Sequence, residues 1–132
     1  MMFGLKLKTV FDFHKRFPDE RSCVEFLESQ RWGNKVVSPF DPNSVVRRYK
    51  DSWYCRKTKH RFSVKTRSFF EATKIPLKKW FLVIFLIENR KKISVVRVSE
   101  MIGVTRKTAW LMINKIKAAK GDYITPLKYG QK

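Results

Sequence analysis

The sequence predicts an α+β fold, in which an N-terminal helix and a small three-stranded sheet precede a three-helix domain. Apolar residues recur at helical spacing near the start of the chain and again after Leu77. Between these segments, short runs rich in β-branched and aromatic residues are typical of strands. A length of 132 residues allows one ordinary domain or two small ones. We place the predicted boundaries at 1–73 for the helix and sheet, 74–120 for the helical domain and 121–132 for a tail.

The first helix is predicted to begin within Phe17-Pro18-Asp19-Glu20, because proline tolerates a helix start and the acids complement the positive end of the helix dipole. Its apolar face contains Cys23, which we interpret as a small buried hydrophobe rather than a reactive thiol. The sequence Gly33-Asn34 ends the helix. The residues that share the apolar face are Cys23, Phe26, Leu27 and Gln30, with Val24 beside them.

The sheet is predicted from three short runs at 45–49, 52–55 and 60–64. Cations crowd these runs, with aromatic residues between them, a mixture that suits phosphate contacts. The aromatic residues serve either for stacking or for a small core. We favour the core for Trp53 and Phe62 and leave Tyr49 and Tyr54 open.

The helical domain is predicted from Leu77 onward, where a largely apolar helix ends at the cations Arg90, Lys91 and Lys92. Ser94 caps a short helix whose inward residues are Val95, Val98, Met101 and Ile102. Gly103 permits a left-handed turn, and Thr105 caps a last helix that runs from Arg106 to Lys117.

This order of short helix, glycine bend and capped second helix indicates a helix-turn-helix. In that arrangement the first turn of the second helix, here Arg106 to Thr108, enters the DNA major groove. Ala109, Met112, Ile113 and Ile116 are predicted to face inward, and Arg106, Lys107 and Asn114 outward. The alternative is a plain three-helix bundle with a charged surface.

The charge favours a polyanionic partner. Lys and Arg number 30 against 11 Asp and Glu, which gives a net charge of +19. Residues 74–132 contribute +11 and residues 1–73 contribute +8, so both halves are basic. Because hydrophobic residues make up 43% of the chain, this charge belongs to a folded protein and not to a disordered tail.

We expect a soluble protein in the cytoplasm, associated with the nucleoid and not with a membrane. The longest apolar run, Trp80 to Ile87, has eight residues where about 20 are needed to span a bilayer. Two cysteines are too few for a disulfide framework and fit a reducing compartment.

Four blocks of the sequence together resemble the N-terminal half of a bacterial insertion-sequence transposase family. The blocks are Phe17 to Glu20, Arg61 to Val64, Ile75 to Phe81 and Gly103 to Trp110. The resemblance implies a zinc-ribbon-like sheet, a helix-turn-helix that binds terminal inverted repeats, and a following ribonuclease-H-like nuclease.

The sequence departs from the family at the ribbon. The family uses Cys-x-x-Cys twice, and the resemblance places these ligands at Ser38 and Asp41 and at Cys55 and Thr58. Hydroxyl groups are poor zinc ligands, and an alternative set of Asp41, Cys55 and His60 matches no ribbon spacing. We predict no bound zinc and no other cofactor, and stoichiometric zinc would contradict this. Apolar burial is expected to replace the metal, supplied by Trp53, Tyr54, Phe62, Phe69 and Phe70.

The second departure concerns catalysis, for which a two-metal nuclease needs several carboxylates. Beyond Glu100 only Asp122 remains acidic, and neither His14 nor His60 has a partner at a useful spacing. We therefore expect a protein that is not an enzyme by itself.

The sequence favours a sequence-specific binder of double-stranded DNA, in which Arg106 reads guanine and Asn114 reads a base or phosphate. Three roles stay open: a competitor or partner of a full-length transposase, a promoter regulator, and a gene remnant. The alternative class is an RNA-binding or protein-interaction module that uses the basic, aromatic sheet. The predicted DNA-binding residues are Arg106, Lys107, Thr108, Asn114, Lys115, Lys117, Lys78, Lys79, Arg90, Lys91, Lys92, Arg47, Arg48, Lys57 and Lys59.

Overall fold

A computed structural model describes residues 5–50, 52–89 and 93–123 of the chain. Within these ranges it contains five helices and one antiparallel sheet of three strands, in the order β1-β2-β3, which confirms the α+β class. The helices are α1 (Val10–Arg16), α2 (Glu20–Trp32), α3 (Leu77–Asn89), α4 (Val95–Ile102) and α5 (Arg106–Ala119), and the strands are β1 (Val46–Tyr49), β2 (Ser52–Cys55) and β3 (His60–Phe62).

The described chain forms two compact units. The first, here called the helical unit, contains the described residues up to Cys23 together with Ile75–Asp122. The second, the sheet unit, contains Val24–Lys74 and Tyr123. The sequence-based boundary after residue 73 lies one residue from the point where the chain returns to the helical unit. The residues before it are divided between the two units, because α1 and the first turn of α2 belong to the helical unit.

Helix α1 has no counterpart in the sequence-based prediction. It begins at a reciprocal cap, in which the Thr9 hydroxyl accepts from the backbone N–H of Asp12 and the Asp12 carboxylate accepts from that of Thr9. Its buried residue Phe13 contacts Phe85, and Phe17, just after the helix, packs edge-on against Phe81. These ring contacts attach α1 to α3 within the helical unit.

Helix α2 begins where the sequence predicted and is capped by Asp19, whose carboxylate accepts from the backbone N–H of Ser22 at 2.8 Å. It ends at Gly33, where φ is +60°. Cys23 is fully buried, as predicted. Burial, and next the nearby Glu20 charge, raise the pKa of this thiol to about 12.

Helix α3 supplies the central part of the core, because its residues are buried on every side from Trp80 to Leu86. Helix α5 contributes a buried stripe, and the inward face predicted for it is confirmed. On α4, Val98 and Ile102 are buried as predicted, but the inward position of Met101 is wrong. Met101 is 45% exposed, since it lies on the outer side of this short helix. The buried residues of α5 are Ala109, Met112, Ile113 and Ile116.

The sheet pairs Arg48 with Trp53, and Trp53 with Phe62, across its three strands. Trp32 of α2 contacts the rings of both Trp53 and Phe62 edge-on, which forms the small aromatic core of the sheet unit. Phe62 is buried as predicted, whereas Trp53 is only half-buried. The indole N–H of Trp53 donates to Glu28 at 2.9 Å.

Side-chain to backbone bonds join the irregular segments of the sheet unit. The Arg31 guanidinium donates to the carbonyl of Val64, and that of Arg67 donates to the carbonyl of Pro39, each at 2.7 Å. Buried Phe69 packs edge-on against Tyr123, in the segment predicted to be a tail. No helix in the described ranges is both long enough and apolar enough to span a membrane.

Candidate nucleic-acid interface

A tight bend connects α4 to α5, and its geometry follows from three residues. Gly103 adopts a left-handed conformation with φ of +69°, which glycine tolerates best. The backbone N–H of Val104 donates to the carbonyl of Ser99 at 3.1 Å. The Thr105 hydroxyl then accepts from the backbone N–H of Thr108, also at 3.1 Å, and so caps α5. The predicted bend and N-cap are confirmed.

The exposed side of α5, here called the α5 face, is cationic and polar. Arg106 and Lys107 in the first turn are exposed, and so are Asn114 and Lys117 further along. The opposite side of the helix is buried in the core, so packing fixes which residues face outward. The α5 face therefore presents guanidinium, ammonium and amide groups on a helix whose orientation is set by its buried side.

Two large apolar residues lie on the same face and were not among the predicted site residues. Trp110 is 54% exposed and Leu111 is 51% exposed. The sequence did carry a signal, because these residues follow Arg106 and Lys107 by four positions, one helical turn onward. The four inward-facing residues of α5 already form its buried stripe, so helical spacing places Trp110 and Leu111 at the surface.

Several predicted contacts on α5 already have partners within the protein. The Thr108 hydroxyl accepts from the Thr105 hydroxyl at 2.9 Å, and the Asn114 amide donates to the carbonyl of Trp110 at 2.8 Å. The ammonium of Lys115 lies 5.5 Å from the centre of the Trp80 ring. Burial lowers the pKa of Lys115, because desolvation disfavours its charged form. Arg106, Lys107 and Lys117 are likewise exposed cations of the α5 face.

The first turn of α3 places Lys78 and Lys79 in the helical unit. Both are half-buried, and the Lys78 ammonium donates to the carbonyl of Pro18 at 2.8 Å. The backbone at the start of α3 lies beside Glu20, whose carboxylate accepts hydrogen bonds from the N–H groups of Leu77 and Lys78. Arg90, Lys91 and Lys92 lie outside the described residues.

On the sheet, two of the predicted cations are paired with acids. Arg48 forms an ion pair with Glu28 at 2.7 Å and stacks on Trp53, and Lys57 pairs with Asp41 at 3.2 Å. Arg47 and Lys59 are exposed.

The strand register reveals a further row that the sequence-based set omitted. Arg47 lies opposite Tyr54, and Tyr54 lies opposite Arg61. The Arg61 guanidinium stacks 4.3 Å from the ring centre of Tyr49, which is 45% exposed. One face of the sheet therefore carries two arginines and two tyrosines.

The family resemblance places zinc ligands at four positions, and the surroundings of these positions differ. Cys55 is completely buried. Burial alone would raise the pKa of its thiol, but the hydroxyls of Ser38, Ser44 and Thr58 outweigh that effect and lower the pKa to about 6. The Ser38 hydroxyl, also buried, accepts from the backbone N–H of Phe40 at 3.1 Å. Hydroxyl groups therefore surround this cysteine.

These residues do not fit a structural zinc ion, which needs four ligands drawn from thiolate, imidazole or carboxylate. The Asp41 carboxylate accepts from the backbone N–H of Asn43 at 2.9 Å and pairs with Lys57. Across the described part of the chain, no three His, Cys, Asp or Glu side chains form a cluster that could hold a metal.

Comparison with known proteins gives one informative similarity. No protein-family profile and no solved structure matches the chain. An uncharacterized protein in the transposable element ISH50 of Halobacterium salinarum is 28% identical over 110 residues. The match covers 80% of this chain but only 37% of that protein, so the chain spans little more than a third of its relative's length. The similarity suggests a protein associated with a transposable element.

Proposed function

We propose that this protein is a sequence-specific binder of double-stranded DNA that functions with a transposable element. In this proposal α4 and α5 form a helix-turn-helix. The observation that carries the proposal is the α5 face, on which exposed Arg106 and Lys107 form the first turn of a helix fixed by its buried side. The similarity to a transposable-element protein supports the biological setting. The site of action is then the ends of an element or a promoter within it.

The arrangement suits the major groove, which admits one α-helix. A capped N-terminal turn beyond a left-handed glycine leaves Arg106 and Lys107 clear of the core. Arginine can donate to both acceptors of a guanine, while Lys107 and Lys117 serve phosphates. A net charge of +19 supplies the long-range attraction.

In this proposal Arg47 and Lys59 of the sheet unit, which are exposed, also contact phosphates. Lys57 also remains available, because its side chain is 69% exposed beside Asp41. The protein would then act in the cytoplasm on the nucleoid, alone or together with a full-length transposase. When it acts together with a transposase, the chain would contribute DNA recognition.

The test is a binding titration by fluorescence anisotropy with labelled duplex DNA, single strands and structured RNA. We expect the double variant Arg106→Ala with Lys107→Ala to lose both affinity for duplex and sequence preference. The matched control is Lys6→Ala with Lys8→Ala, which removes two exposed charges from the segment before α1. The control should lower affinity only slightly and leave sequence preference unchanged.

Salt dependence gives an independent measure. If six to ten phosphates are neutralised, affinity falls about 10³- to 10⁵-fold between 50 and 200 mM salt. The double variant should reduce the slope of log affinity against log salt by about one unit, because Lys107 is the one residue of the pair assigned to a phosphate and each lost phosphate contact removes nearly one unit. A double variant that binds duplex with unchanged affinity and preference contradicts the proposal.

The arginine and tyrosine face of the sheet supports a second candidate, the binding of single-stranded RNA. Tyr49 is partly exposed, and Arg47, Tyr54 and Arg61 lie in one cross-strand row. Such surfaces stack bases and contact phosphates. If Tyr49→Ala with Tyr54→Ala abolishes RNA binding while duplex binding is absent in the wild type, this candidate replaces the first.

A further inference from the structure

We propose that Trp110 and Leu111 read the 5-methyl groups of thymine in the bound duplex, so that the target site contains thymines beside the base pair contacted by Arg106. This inference rests on the proposed function, because it assumes that the α5 face enters the major groove. It adds the chemical basis of base recognition by two residues with no assigned role.

The first step is that neither side chain belongs to the buried stripe of α5. Both are about half-exposed, whereas the buried stripe of the same helix is filled by Ala109, Met112 and Ile113. The two residues are consecutive, both lie on the exposed side of the helix, and they are here called the apolar patch. Their apolar surface is framed by polar groups and is available for burial against a partner.

The second step is their position among the polar groups. Trp110 lies one turn after Arg106 and one turn before Asn114, and Leu111 lies one turn after Lys107. From residue 106 to residue 114 the helix rises about 12 Å, which is close to the width of the major groove. The apolar pair thus occupies the middle of the α5 face, with cations at its N-terminal end.

The third step is chemical. In the major groove the bases present hydrogen-bonding groups and one apolar group, the 5-methyl of thymine. A tryptophan and a leucine cannot match donors or acceptors with their hydrocarbon surfaces, so burial against that methyl is the contact that suits them. The polar residues around them are left to read guanine and the backbone.

The positive charge around the apolar patch favours DNA as its binding partner over a second copy of the chain. A symmetric contact between two copies would place the same surface against itself. Arg106 and Lys107 of one copy would then approach those of the other, and two chains of charge +19 repel one another. A polyanion instead neutralises these charges as the apolar pair becomes buried.

The experiment begins with selection of the preferred duplex from a random pool by the full chain. Each thymidine in the selected site is then replaced by 2′-deoxyuridine, which removes only the methyl group. We expect affinity to fall about fourfold for each methyl that Trp110 or Leu111 contacts. Positions outside the α5 contact should show no change.

Variants show which residue contacts each thymine methyl group. Trp110→Ala and Leu111→Ala should each bind the thymidine site more weakly and lose the difference between thymidine and deoxyuridine at one position. Arg106→Ala should weaken binding but retain that difference. Far-ultraviolet circular dichroism and melting curves verify that each variant is folded. The deoxyuridine series is measured on the wild-type protein, so its result does not depend on the folding of any variant.

The outcomes separate this inference from the proposed function. A wild-type protein that selects a duplex but is indifferent to deoxyuridine overturns the inference and leaves the function standing, as does a selected site without thymine. Absence of duplex binding overturns both. If sedimentation shows that Trp110→Ala converts a dimer to a monomer and deoxyuridine has no effect, the patch is a self-interface and the inference is wrong.

Discussion

Glu20, at the start of α2, accepts a hydrogen bond from the backbone N–H of Leu77, at the start of α3, over 2.8 Å. Its second oxygen accepts from the N–H of Lys78 at 2.9 Å. One carboxylate therefore satisfies two of the donors that a helix N-terminus leaves without an intrahelical partner. The two residues are 57 positions apart in the chain, so the cap also joins distant parts of the sequence.

Replacement of Glu20 by glutamine should destabilise the protein by about 1 kcal/mol, because an amide offers one weaker acceptor where the carboxylate offered two. Urea unfolding followed by circular dichroism measures the change. Glu100→Gln, which removes the same charge from an exposed position on α4, is the matched control and should have little effect. Equal unfolding free energies for the two variants would contradict the capping role.

Replacement of Gly103 by alanine should destabilise the bend between α4 and α5. Nothing lies within 4 Å of the added methyl, so the cost comes from the left-handed backbone alone and amounts to about 1 kcal/mol. Asparagine, which tolerates this conformation better, should cost less. Thermal melting of both variants checks the order, and alanine as stable as the wild type would show that the conformation is not required.

Trp53→Ala should lower the melting temperature of the protein. The substitution removes the ring contact with Trp32 and the indole N–H that donates to Glu28, and it takes away the surface on which Arg48 stacks. Because Trp53 is only half-buried, we expect a loss of about 2 kcal/mol, less than for a core tryptophan. Trp53→Phe, which keeps an aromatic ring but loses the N–H donor and part of the ring surface, should fall between alanine and wild type. An unchanged melting temperature for alanine would exclude a stabilising role of Trp53.

The lowered pKa of Cys55, about 6 against an ordinary 9.0, predicts a specific pH dependence. The folded state favours the thiolate, so this contribution to stability is complete above pH 9 and is lost as the pH falls through 6. The free energy of unfolding of the wild type should therefore rise between pH 6 and 9 relative to that of Cys55→Ser. Parallel curves for the two proteins would show that the thiolate has no special stabilisation.

Cys23 predicts the opposite behaviour, because burial raises the pKa of its thiol to about 12. The folded state favours the neutral thiol, so its contribution is complete below pH 9 and is lost as the pH rises towards 12. The wild type should lose stability faster over this interval than Cys23→Ala, in which nothing titrates at that position. Denaturant unfolding at several alkaline pH values tests this, and identical slopes would contradict it.

The elements that sequence patterns predicted well are those with local signals. The cap at Thr105, the left-handed Gly103 and the buried stripe of α5 all follow from residues within two turns of one another. Helix α1 was missed although Thr9 and Asp12 carry the spacing of a capping box, because a helix of seven residues has too little apolar periodicity to stand out. Its stability comes from ring contacts with α3, which no local pattern contains.

Local sequence patterns likewise predict some features of the candidate site, while others depend on contacts between distant elements. The outward positions of Arg106 and Lys107 follow from helical spacing, whereas the partners of Lys115 and Arg48 depend on Trp80 and Glu28 from other elements. Spacing alone likewise placed Met101 inward, and the outer side of α4 exposes it. Helical spacing thus predicted the exposed Arg106 and Lys107 of α5 but not the exposed Met101 of α4, and contacts with other elements decide which exposed groups already have partners.

The pairing of Glu20 with Leu77 joins the two parts of a discontinuous helical unit, which is interrupted in the chain by Val24–Lys74 of the sheet unit. A fragment that starts at the predicted boundary of residue 74 would contain α3, α4 and α5. It would lack the cap on α3 and the rings of Phe13 and Phe17 that cover Phe85 and Phe81. Helix α5 would then pack against an exposed hydrophobic core, so a fragment intended to preserve the helical unit must also contain α1 and the residues that follow it up to Cys23.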